Sequence, residues 1–211
     1  MDNRAETEKL ICAHSAHEIE TTGCGHHQFD KATALLSDEH RVIERVLGAL
    51  EKLTRKPARE ALESWKQALD FIRHFADQCH HFKEEKVLFP ALEEHGIPRD
   101  GGPVGTMLME HEEGRSYVRA MFAALAAIAE IDAKDQSAET TLFENARGYV
   151  RLLREHIQKE DDILFRMADE VIPADEQRKL LMNFEAHEAE EIGAGVHEKY
   201  LRIADELARA G

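Results

Sequence analysis

Little in this chain points toward strands, membranes or nucleic acid. Strand-like alternation of apolar and polar residues is missing throughout, which argues against a β-sandwich or barrel. No stretch approaches the ~18 consecutive apolar residues of a spanning helix, and the opening "MDNRAETEKLICAHSAHEIE" has no basic segment followed by an apolar run. The expected address is the cytoplasm, with no membrane partner. Cysteine is scarce: Cys12, Cys24 and Cys79 are too few and too unevenly spaced for a disulfide framework, so reduced thiols are expected. Positive charge is outnumbered, with 27 Lys and Arg against 42 Asp and Glu. The resulting net charge of -15 offers no attractive field to nucleic-acid phosphates or to an anionic bilayer.

What is abundant is histidine, 13 in 211 residues, set among helix-period apolar patterns. These patterns run from about Phe29 to Leu53, Ala58 to Leu92, Val104 to Ile131 and Ala138 to Val171. The breaks fall at Pro57, at "HGIPRDGGP" (95–103), at "AKDQSAE" (133–139) and at "IPADE" (172–176). The reading is an all-α fold: an up-and-down four-helix bundle over residues 29–172, with a flexible His-rich N-terminal arm (1–28) and an additional C-terminal helix (173–211) packed on the bundle. Gly193 and Gly195 are expected to bend that last helix. The arm carries Cys12, His14, His17, Cys24, His26 and His27, whose spacing matches no ordered zinc motif.

The chemistry concentrates in "CHHFKEEKVLFPALEEHG" (79–96). A His-x-x-x-Glu pair puts an imidazole and a carboxylate on one helical face, about 6 Å apart along the axis, so both reach one metal ion. At about 100° per residue, His81 and Glu85 fall inside the apolar arc defined by Phe71, Phe75, Phe82, Phe89, Leu88 and Leu92, whereas His80 and Glu84 fall largely outside it. The motif recurs as "HIQKE" (156–160), with His156 and Glu160 on the inner face. His40 shares a stripe with Leu36, Ile43 and Leu47, and His111 with Met107, Leu108 and Val118. Six inward ligands are therefore expected: His40, His81, Glu85, His111, His156 and Glu160.

Each motif alone is more often a hydrogen-bonded core histidine or an exposed ion pair. Six coincident inward positions reverse that balance, because two buried glutamates without a cation cost several kcal/mol each and no Lys or Arg is expected on these stripes. The mixed N/O set suits two first-row metals bridged by carboxylates, iron or manganese before calcium or magnesium, and zinc is compatible by ligand type. His187, His197 and Tyr117 read as packing or surface residues. Glu39, Glu110 and Glu155, each preceding a ligand histidine, are candidates to orient imidazoles on neighbouring helices.

The segments "SDEHRVIERVL" (37–47), "CHHFKEEKVLFPALEEHGIP" (79–98), "GGPVGTMLMEHEEGR" (101–115) and "EHIQKEDDILFRMAD" (155–169), in this order, resemble the hemerythrin-like cation-binding domains, also called HHE domains. The resemblance covers about residues 30–172. It implies a bundle holding two iron ions in an oxo- or hydroxo-bridged di-iron centre, with the six residues above as ligands. It also implies small diatomic partners or peroxide, either sensed or reacted with. Met107 stands where the family's oxygen carriers place a second histidine on the third helix, and Asp161 stands where they place the last carboxylate, beside Glu160. The methionine implies one metal short of a nitrogen donor, which favours a reactive or sensing centre over a simple carrier. Iron storage or donation is the second expectation, and a metal-free helical interaction protein the third. Monomer and dimer are both compatible with the sequence.

Overall fold

The computed structural model describes residues 29–130, 137–193 and 195–210; the arm with its Cys and His residues lies outside them. Among the described residues there are six helical stretches and no strand. The first helix is Ala32–Leu53. The second spans residues 58–94 and changes type along its length: a 3-10 turn at Ala58–Ala61, α-helix at Leu62–Phe71, π-helix at Ile72–His81 and Glu84–Leu88, then α-helix at Phe89–Glu94. The third is Pro103–Glu130. The fourth runs from Ser137–Lys159 through a π-turn at Glu160–Leu164 into Phe165–Val171.

Local chemistry explains the boundaries. The Gln177 side-chain oxygen accepts from the first helical N–H at Ala32 (2.9 Å), and Glu139 does the same for Ala58 (2.6 Å), so distant carboxyl and amide groups close helix ends that lack caps of their own. The second helix stops where Gly96 takes φ 87°, a left-handed conformation that lets the Ile97 N–H return to the Leu92 carbonyl at 2.9 Å. Pro103 then opens the third helix, where its missing N–H costs nothing.

The C-terminal segment is two helices rather than one bent helix. Ala174–His187 continues as a π-turn, Glu188–Ile192, and the chain then breaks at Gly193 (φ 97°) and Gly195 (φ 77°) before Val196–Ala210. Leu180, Leu181 and Phe184 join one apolar cluster; Tyr200, Ala204 and Leu207 join another. No helix among the described residues is long and apolar enough to cross a membrane.

Those two clusters position the site. One gathers Leu35, Leu36, Leu88, Phe89, Met107, Leu164 and Phe165; the other gathers Ile43, Leu47, Trp65, Phe75, Met121, Tyr149 and Leu153. Along each of the four bundle helices the histidines and glutamates fall between them: His40 between Leu36 and Ile43, His80 to Glu84 between Ala76 and Leu88, His111 between Met107 and Met121, His156 and Glu160 between Leu153 and Leu164. A polar layer is therefore sealed above and below by apolar packing.

Candidate metal centre

Two groups of side chains in that layer are each close enough to surround one ion. His40, His80, Glu84 and Glu160 form one and His81, Glu84, His111 and His156 the other, with candidate donor atoms within 4.8 Å of one another in each and every member buried. Five of the six expected residues lie in these groups. The sixth does not: Glu84, with no exposure, faces inward in place of Glu85, whose side chain is 15% exposed. His80 also lies inside, contrary to its expected outward position.

The cause is the π-helical backbone. Its wider turn advances each residue by less than the ~100° of an α-helix, so residues four apart stay in line instead of drifting around the axis. Ala68, Ile72, Ala76, His80, Glu84, Leu88 and Leu92 consequently make one continuous buried stripe. That spacing of four was the signal in the sequence that could have found His80 and Glu84. The internal repeat shifts with it: "HHFKE" at 80–84 matches "HIQKE" at 156–160, lysine for lysine and glutamate for glutamate.

Hydrogen bonds bear out that alignment. His80 Nδ1 contacts Glu39 at 2.9 Å and His156 Nδ1 contacts Glu110 at 3.0 Å, while Lys83 binds the same Glu39 and Lys159 the same Glu110. His40 Nδ1 lies 2.9 Å from Asp161, and His111 Nδ1 lies 2.8 Å from Glu85, each acid being the residue after an inward glutamate. Glu39 and Glu110 thus orient imidazoles, as their positions suggested, whereas Glu155 is exposed. His81 has no counterpart in the second half, where Ile157 stands. It stacks on His111 with ring centroids 4.0 Å apart and has Asp77 3.5 Å from its Nδ1.

With four Nδ1 atoms turned outward to carboxylates, the Nε2 atoms converge. His40 Nε2 is 3.3 Å from Glu160 Oε2, and His80 Nε2 is 3.3 Å from Glu84 Oε1. On the other side His111 Nε2 is 3.4 Å from Glu84 Oε2, and His156 Nε2 is 3.1 Å from Glu160 Oε2. Glu84 therefore presents one oxygen to each group. His111 and His156 bring their Nε2 atoms within 3.0 Å of each other. An imidazole that donates from Nδ1 keeps a lone pair on Nε2, so two such nitrogens facing each other need a proton or a metal ion between them. Both oxygens of Glu84 and of Glu160, with Nε2 of His40 and of His80, are buried without a hydrogen bond, a costly state that metal ligation would relieve.

Electrostatics agree. Burial holds His40, His81 and His111 below the ordinary histidine value, His111 furthest, so these three are neutral donors. Burial opposes charge at His80 and His156 too, but Glu84 beside the first and Glu160 beside the second, helped by Glu39 and Glu110, push both up to about 10. Glu160 is held well below the carboxylate range, against its burial, by His156 and His40. Metal ligation needs deprotonated imidazole, so uptake at neutral pH is expected to release roughly two protons, and affinity falls as pH falls. A pH-indicator dye in weak buffer measures this; release of none contradicts the assignment of those charges.

One expected absence needs correction. Lys83 is fully buried beside these stripes, yet its ammonium is paired with Glu39 and Glu188. Glu188, Glu39 and His197 form a third acidic and imidazole group around that lysine, which is already their cation. His187 stacks on Phe82 at 3.5 Å, and Tyr117 bonds Glu113 outside the layer. Cys79 is buried against Glu188, and burial raises its thiol well above its usual range, leaving it unreactive.

The family profile described as the Hemerythrin HHE cation binding domain matches residues 31–168. This chain belongs to the hemerythrin HHE family. Its curated relatives include uncharacterized proteins of Mycobacterium bovis and Mycobacterium tuberculosis, each 29% identical over 174 residues. The matched region is 81% of this chain and 66% of each relative, so the chain spans just under two thirds of their length. No solved structure matches it. An HHE domain binds cations, and the buried donor groups are suited to that role.

Proposed function

We propose that the two groups hold two iron ions bridged by Glu84 and Glu160, with His40 and His80 on one ion and His81, His111 and His156 on the other. The observation that carries this is the pair of inward carboxylates facing inward imidazole nitrogens in a buried layer, with His40, His80, His111 and His156 each fixed from behind by an acid. Bound iron would supply electrons for binding or reducing oxygen, peroxide or nitric oxide. The chain's own residues orient the imidazoles, exclude water through the two apolar layers and keep the carboxylate charge balanced.

Met107 is buried in the apolar cluster, and His81 fills out the nitrogen set beside His111, so the shortage inferred from Met107 moves to the His40 and His80 side. Two nitrogens there against three on the other side give the ions unequal surroundings. We assign small-ligand chemistry to the two-histidine ion, in a protein of the cytoplasm that senses or consumes the ligand. The test is an optical spectrum of the iron-loaded protein before and after reduction and on exposure to oxygen, peroxide and nitric oxide in turn. Rapid spectral change with one of them is expected. An inert spectrum, with iron lost readily to a chelator, would favour iron storage or donation. Deleting residues 1–28 is expected to leave metal content unchanged, and loss of a whole ion would place ligands in the arm.

A further inference from the structure

On the three-histidine side, the acids behind two imidazoles converge on a single cation. Arg115 Nη2 lies 2.6 Å from Glu85 Oε1, the same oxygen that receives His111 Nδ1 at 2.8 Å. Arg115 Nε lies 2.8 Å from Asp77 Oδ1, which sits 3.5 Å from His81 Nδ1. The fork of one guanidinium thus ties together the carboxylate that holds His111 and the one that lies beside His81, a planar two-acid geometry that a lysine cannot reproduce. The other imidazoles are held separately, His40 through Asp161 with Ser37 and Arg41, His80 through Glu39 with Lys83, and His156 through Glu110 with Lys159. Arg115 also stands in the wall of a cavity of about 400 Å³ that is lined by His81 and His111 as well. Asp77, Arg115 and the two histidines therefore share the wall between the three-histidine position and this space.

We propose that Arg115 is the positioning residue of the three-histidine metal position and sets how readily that ion escapes toward the cavity. The inference rests on the two-ion reading above. Acids behind metal-binding histidines typically change metal affinity by about tenfold to a hundredfold when lost, and Arg115 fixes two of them at once.

The test uses the full chain loaded with ferrous iron, its metal content measured first, then mixed with a ferrous chelator whose absorbance counts the ions released. In Arg115→Gln, one ion per chain is expected to leave about ten to a hundred times faster than in the unaltered protein, with the second at its original rate. Arg115→Lys is expected to restore part of the difference. Arg119→Gln, whose side chain shares the cavity wall but binds Glu112, is expected to release at the unaltered rate. Release from Arg115→Gln at the unaltered rate, or equal acceleration of both ions, would overturn the proposal. Should Arg115→Gln fail to fold, Asp77→Asn provides the same reading through His81: one fast ion supports the proposal and none overturns it. Fewer than two ions in the loaded, unaltered protein would remove the two-ion reading before any chelator is added, a failure separate from that of Arg115.

Discussion

Glu84→Gln is expected to leave the protein unable to keep either ion, taking metal content from two per chain toward zero, whereas Glu85→Gln retains most of it. Glu84 is the residue that presents one oxygen to each group, and the amide that replaces it carries no charge to balance two cations. Glu85 contacts no group from inside; it only receives His111 Nδ1 and Arg115. The stability change should be larger in loaded than in metal-free protein. Without metal, Glu84 lies 3.3 Å from His80 Nε2 and helps to hold that imidazole up at about 10, so its loss leaves a buried imidazolium without this counter-charge and destabilises the fold. With metal, the same substitution removes the bridging ligand and destabilises more. Thermal melts of both variants with and without iron check this, and a metal-retaining Glu84→Gln would mean that the second helix presents a different face.

The second large effect is expected at Lys83. Its ammonium is fully buried between Glu39 and Glu188, and desolvation alone would strip its proton; those two acids instead hold it above its ordinary range. In turn Lys83, with His80, depresses Glu39 to about 2 in spite of burial. Lys83→Met removes the shared cation and leaves two buried carboxylates facing each other, a change that costs about 3 to 5 kcal/mol. Lys159 makes the equivalent contact with Glu110 on the other half, but its side chain is 37% exposed, and solvent screening limits Lys159→Met to under about 1 kcal/mol. Urea unfolding of the two variants measures the contrast. The sign with pH follows from Glu39: its folded value is depressed, so its contribution to stability is present above the ordinary carboxylate value and is lost as pH falls toward about 2. Equal, small losses in both variants would show that the C-terminal helices do not bury Lys83 as described.

How much of this was legible in the sequence depended on whether the backbone stayed α-helical. The first, third and fourth helices obeyed the 3.6-residue period up to their ligands, so His40, His111, His156 and Glu160 were found on their inner faces. The second helix did not obey it. Two π stretches, Ile72–His81 and Glu84–Leu88, moved the inner carboxylate back by one residue, from Glu85 to Glu84, and turned His80 inward beside His81. The wide turn also lets the adjacent His80 and His81 serve different groups, although at about 100° per residue His80 falls outside the apolar arc. Burial of Lys83 was invisible for another reason: its partner Glu188 lies 105 residues further along, on a turn whose packing no local pattern specifies. The break between the last two helices, by contrast, was marked by Gly193 and Gly195, the residues that tolerate the positive φ found there.

The most direct measurement of the central claim is metal content per chain, by elemental analysis of untagged protein grown with ample iron. The structure offers two buried donor groups that share Glu84, and two ions per chain, predominantly iron, are expected in protein whose Glu84→Gln variant has lost both. One ion or none in the unaltered protein, or two that survive Glu84→Gln, would contradict it.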